Sequence, residues 1–151
     1  MTYVQKLSVS VAAISTGLVI GFAGSYADDM SSANKAVYED IQKTFGAVPT
    51  FVKQIPTAAL AGFWQEEKDL ELSDKTALSP KVKTLISLAV AAQIPCTYCI
   101  AADTATAKQL GATDQEIGEA VAMAGLTRNA STMFNGLQVD LEVFKKGMGI
   151  K

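Results

Sequence analysis

The chain of 151 residues contains no histidine, two cysteines, one tryptophan and four prolines. Arg128 is its only arginine. Without histidine there is no imidazole to act as a general base near neutral pH. Two cysteines alone cannot complete the usual four soft ligands of a zinc site, so no metal and no other cofactor is expected. Basic residues are not clustered, and acidic ones outnumber them 15 to 13, which argues against nucleic acid as a partner. No stretch alternates apolar and polar residues long enough to make a strand. What remains is an all-α reading.

Residues 1 to 27 do not read as part of the fold. Lys6 precedes an uncharged run from Leu7 to Ala23, and Ser25-Tyr26-Ala27 places small residues where a signal peptidase cuts. The pattern predicts a secretory leader cleaved after Ala27, with an uncleaved membrane anchor as the other reading of the same run. Cleavage leaves a single domain over 28–151, with a net charge near −3 and no membrane contact. Export, into a bacterial periplasm, would put the cysteines where a disulfide persists.

Apolar Ala36, Val37, Ile41 and Phe45 recur at helical spacing from Ser32, and Gly46 is a natural stop. After the connector Val48 to Ile55, Pro56 can open a helix reaching about Leu72. In it Trp64 reads as core, and Glu66, Glu67, Asp69 and Glu71 as a solvated face. Ser79-Pro80 caps and starts a helix to Gln93 whose Val82, Leu85, Ile86, Leu88 and Val90 read as heavily buried. A further helix runs from Cys96 to about Leu110, with Ala101, Ala102, Ala105 and Ala107 for close packing and Gly111 as its end. Thr113-Asp114-Gln115-Glu116 is a capping box opening a helix to Ala124, followed by helical stretches over 126–134 and 137–146.

Cys96 and Cys99, spaced C-x-x-C behind Pro95 at a helix start, share one face and lie within disulfide range. Unpaired N–H groups and the positive end of the helix dipole stabilise a thiolate there. The pair reads as a dithiol switch. A structural staple is the plainer reading, but a loop this short removes little unfolded-state entropy.

Leu78-Ser79-Pro80-Lys81, Leu85 to Ala91, Cys96-Thr97-Tyr98-Cys99-Ile100-Ala101-Ala102, Gly111-Ala112-Thr113 and Glu116-Ile117 together resemble the alkylhydroperoxidase D-like (AhpD-like) branch of the carboxymuconolactone decarboxylase family. The likeness is strongest over 56–125. It implies an AhpD-like helical fold, a homo-oligomer built as a trimer or hexamer, and a peroxiredoxin-like peroxidase activity. Its substrates would be a small hydroperoxide and a thiol reductant. By the same resemblance Cys99 attacks the peroxide and Cys96 resolves the product to a disulfide. The family's redox branch has a histidine four residues after the second cysteine and a glutamate twelve before the first. This chain has Asp103 and Thr84 at those positions. Asp103 can accept a proton from Cys99 one turn away, although as an anion it also raises the thiol pKa. The decarboxylase branch fits poorly without a histidine.

Two other functions stay open on the same residues. One is thiol–disulfide exchange in the cell envelope, with Cys96 attacking because it sits nearer the helix end. The other is a binding or scaffold role in a chain that has lost the proton relay. Arg128 is available for a carboxylate, with a surface salt bridge as its expected role.

Overall fold

The computed structural model describes residues 22–151, with side chains from Ser32 onward. The expected leader over residues 1–27 lies outside the described residues, apart from the backbone of 22–27, which is helical. Six α-helices follow in order: α1 Phe22–Phe45, α2 Thr57–Glu66, α3 Pro80–Gln93, α4 Thr97–Gln109, α5 Asp114–Gly136 and α6 Leu141–Gly147. A 3-10 turn spans Thr50–Gln54, and a π-helical turn, Glu67–Glu71, extends α2. The described residues contain no strand, so the all-α expectation holds. Among them no helix is long and apolar enough to cross a membrane.

The chain divides into two compact units, residues 1–64 and 65–151. In the first, Ile41, Val52, Leu60 and Trp64 form a buried cluster, with Val37, Tyr38, Val48 and Ile55 packed around it. Trp64 is core, as its sequence context predicts. Its indole N–H donates to Asp40 Oδ2 at 2.9 Å, and Phe45 meets its ring edge-on at a centroid distance of 5.7 Å. Burying an indole requires such a partner for its single donor.

In the second unit α3 packs against both α4 and α5. Ser79 accepts the Val82 N–H and Pro80 occupies the first helical turn, so α3 starts where the sequence places it. The capping box at Thr113 is also present, with Glu116 N–H donating to Thr113 Oγ1 at 3.1 Å and Thr113 N–H to Glu116 Oε2 at 2.8 Å. Glu116 additionally meets Lys81 Nζ at 2.7 Å, which joins the starts of α3 and α5. Gly46 and Gly111 follow α1 and α4 at φ 78° and 79°, a conformation only glycine adopts without strain.

Three expectations change. The break expected after Ala124 is absent, and α5 runs on to Gly136. A lone glycine at Gly125 costs about 1 kcal/mol, which a long helix with intact neighbouring hydrogen bonds absorbs. The heavy burial expected of α3 is confined to Lys83, Thr84, Leu88 and Ala91, while Val82, Ile86 and Val90 are exposed. These three recur every fourth residue, so they form one exposed apolar stripe on α3. Of the four α4 alanines only Ala107 is buried. The small residues therefore permit close approach at one point rather than along the helix.

Candidate functional site

Cys96 is the N-cap of α4, and Cys99 lies in its first turn. The two sulfurs are joined in a disulfide at a Cα separation of 5.3 Å. The Cys99 N–H also donates to Cys96 Sγ at 3.2 Å, so the sulfur takes the capping place that serine or aspartate fills elsewhere. A backbone N–H aimed at sulfur, together with the helix N-terminus, favours thiolate at Cys96 once the bridge opens.

Asp103 stands one turn beyond Cys99 and is only 5% exposed. It receives a hydrogen bond from the Ser87 hydroxyl of α3, while Oδ2 has no partner. Burial pushes its carboxyl above the ordinary aspartate range, with the Ser87 hydrogen bond acting the other way. Thr84, at the family's glutamate position, is 1% exposed and donates its hydroxyl to Pro80 O at 3.0 Å. Its hydrogen is committed to the backbone of its own helix.

The sequence reading missed the groups that face Asp103. The acidic run is not uniformly solvated: Glu66 and Asp69 are exposed, whereas Glu67 and Glu71 are partly buried. Glu67 is pushed up from 4.5 to about 7, first by burial and then by the charges of Glu71, Asp103 and Glu66. Glu71 is raised by burial and by Asp103, while the hydrogen bond from Glu67 and the charge of Lys83 oppose the rise. Both glutamates lie in the π-turn, whose register is set by Leu72 N–H donating to Glu67 O at 2.9 Å. Such widened turns recur at functional sites. A signal existed in the sequence, because Glu67 and Glu71 lie four residues apart and so share one helical face.

Lys83, buried on α3, was likewise missed. Its ammonium donates to Leu70 O, Ser73 O and Thr76 Oγ1, the last at 2.7 Å. All three N–H groups are thereby used to bind the end of the π-turn and the segment that follows it. Arg128, expected in a salt bridge, instead donates Nε–H to the neutral amide oxygen of Gln93 at 2.7 Å.

Comparison with known proteins agrees with this arrangement. The family model described as "Carboxymuconolactone decarboxylase family" matches residues 58–140. The crystal structure of the alkylhydroperoxidase AhpD core from Rhodospirillum rubrum superposes with a TM-score of 0.64 at 26% identity, covering 87% of this chain and 98% of that one. No curated protein sequence matches the chain. An all-helical fold, a C-x-x-C pair at a helix start and a family match over more than half the chain lead to one assignment: this protein belongs to the carboxymuconolactone decarboxylase family, on its AhpD-like side.

Proposed function

We propose that the protein is a thiol-dependent hydroperoxide reductase. The observation that carries the reading is the Cys96–Cys99 disulfide at the start of α4, with the buried Asp103 one turn further on. A dithiol reductant opens the bridge and takes its oxidising equivalents. The Cys99 thiolate then attacks the distal oxygen of the hydroperoxide, forming S–O as O–O breaks and releasing the alkoxide. Cys96 condenses with the resulting sulfenic acid, which restores the disulfide and expels water.

The test uses dithiothreitol as reductant and cumene hydroperoxide as substrate. Peroxide consumption is expected from the native protein and not from Cys99→Ser. Cys96→Ser should accumulate a sulfenic acid on Cys99, read by dimedone labelling and mass spectrometry. Failure of peroxide to oxidise the reduced protein would overturn the reading. A second reading, protein disulfide exchange through Cys96, is favoured by the Cys99 N–H donated to Cys96 Sγ. Mixed disulfides trapped through Cys96 in the Cys99→Ser variant would establish it in place of the first.

Two further properties belong to this proposal. Export with cleavage before Asp28 is part of the same reading, supported by the uncharged run before Ala27. A homo-oligomer is part of the same reading, supported by the exposed apolar stripe of Val82, Ile86 and Val90, which a second copy of the chain would cover.

A further inference from the structure

We infer that the groove between the later halves of α3 and α5 binds a small amphiphilic carboxylic acid. Arg128, positioned by Gln93, holds the carboxylate, and the hydrocarbon body lies along Val90, Met123 and Ala124. The inference concerns binding and does not rest on the thiol chemistry.

Two side-chain contacts set the frame. Lys81 Nζ donates to Glu116 Oε1 at 2.7 Å and Arg128 Nε donates to Gln93 Oε1 at 2.7 Å, each pair 35 residues apart in the chain. The two helices therefore run side by side in one direction. From Lys81 to Gln93 the seam advances about 18 Å at the helical rise. At this far end lies a groove of about 450 Å³ whose lining includes Ala89, Val90, Met123 and Ala124, together with Gln93 and Arg128. That volume falls in the range of small-molecule sites. Met123, itself exposed, has a flexible thioether that adapts to an irregular apolar body.

Charge decides the occupant. From Thr84 to Gln93, α3 has no charged residue, and from Ala120 to Gly136 of α5 the sole charge is Arg128. Its Nε–H is committed to Gln93, which leaves four N–H donors on its two terminal nitrogens. Among the described residues none of these four has a partner. The Gln93 bond thus fixes one edge of the guanidinium and leaves the terminal fork open to a bidentate carboxylate. A cation without a counter-charge beside an apolar trough suits one negative charge on an apolar body. Inorganic phosphate would leave the trough empty, and a neutral hydrocarbon would leave the fork unused.

Gln93 ends α3 and Cys96 caps α4 three residues later, so their Cα atoms are at most about 11 Å apart. The Cys96 N–H donates to Ala91 O at 3.0 Å, which ties the head of α4 to the same end of α3. An acid in the groove is thereby brought near the cysteine pair. Val90 belongs as well to the exposed stripe of α3, so a second copy seated on that stripe would border the groove.

The test uses decanoate as probe, with decanol as its uncharged analogue and butyrate as its short one, on the disulfide-bonded protein below micelle-forming concentrations. Calorimetry should show one saturable decanoate site per chain, with decanol and butyrate each weaker by about tenfold or more. The Arg128 Nε–H signal is unique, because the chain has one arginine, and in nitrogen-edited NMR spectra it should shift over the same range of decanoate concentration. Arg128→Gln should weaken decanoate by about 10- to 100-fold, the scale of a lost hydrogen bond to a charged group, and leave decanol unchanged. Arg128→Lys keeps the charge without the fork and should recover only part of the affinity. Val90→Gln, a change at an exposed position, should weaken decanoate and decanol alike. Absence of a saturable decanoate site would overturn the inference, as would binding that Arg128→Gln leaves unchanged. Equal affinity for decanol and decanoate would overturn it too, by making the groove a plain apolar surface. If Arg128→Gln altered sedimentation in a protein with no decanoate site, the groove would belong to a second copy and the inference would fall.

Discussion

Stability should fall as the pH rises through the range where Glu67 ionises. In the folded chain this carboxyl stands at about 7 instead of 4.5. The native state therefore binds its proton more tightly than the unfolded chain does. Between those two values the folded protein holds the proton that the unfolded chain has lost, so the favourable contribution present below pH 4.5 is lost progressively toward pH 7. For a group wholly withdrawn from water, a shift of this size corresponds to about 3 kcal/mol. Glu67 is only partly buried, and after allowance for solvent screening about 1.5 kcal/mol remains. Glu71 and Asp103 are raised as well and act in the same direction, whereas Glu116 is lowered by Lys81 and loses its contribution on acidification. Glu67→Gln isolates the first contribution, because the amide imitates the shape of the protonated acid and does not titrate. Urea unfolding of oxidised native and variant proteins at pH 4.5 and pH 8 measures it. The two should be similar at the lower pH, and the variant should be more stable by about 1.5 kcal/mol at the higher. Parallel pH profiles would refute the reasoning.

Lys83→Met removes the cation that three acceptors share, two of them backbone carbonyls. The expected loss is about 3 kcal/mol by urea unfolding with an unchanged slope, and a loss below about 0.5 kcal/mol would show that water replaces the ammonium. Ile86→Asp places a charge in the exposed apolar stripe of α3 and should convert an oligomer to monomers by light scattering. A native protein that is itself monomeric at working concentration would remove the oligomer proposal. N-terminal sequencing of secreted material should begin at Asp28, and a full-length product extractable only with detergent would favour an anchor.

The local signals in the sequence were dependable because they act over a few residues. Ser79-Pro80 and Thr113 to Glu116 provide their own hydrogen-bond partners, and the helices begin where they stand. Cys96 and Cys99 need only one helical turn to meet, so their pairing was legible too. The likeness to the AhpD-like branch was carried by the same local motifs. The partial burial of Glu67 and Glu71 was not legible in this way, since it comes from packing rather than from spacing. An acidic run ordinarily faces water, whereas Glu67 and Glu71 lie partly buried in the π-turn beyond α2. Lys83 was overlooked for the converse reason. A lysine within an apolar helix reads as an exposed position, until three oxygen atoms from one neighbouring segment are found around it. The exposed Val82, Ile86 and Val90 mark a different limit: helical period distinguishes an apolar face but does not say whether the same chain covers it.

The 5.3 Å between the cysteine Cα atoms is close to what the opening turn of a helix provides by itself. Making or breaking the bond therefore asks almost nothing of the chain around it. On the proposed cycle, a protein built this way takes up or gives back two electrons with little demand on the backbone around the pair. Any molecule that needs to know its oxidation state must come to the head of α4 and touch the sulfur. Information about oxidants then travels by contact, one encounter at a time, and not through the body of the fold.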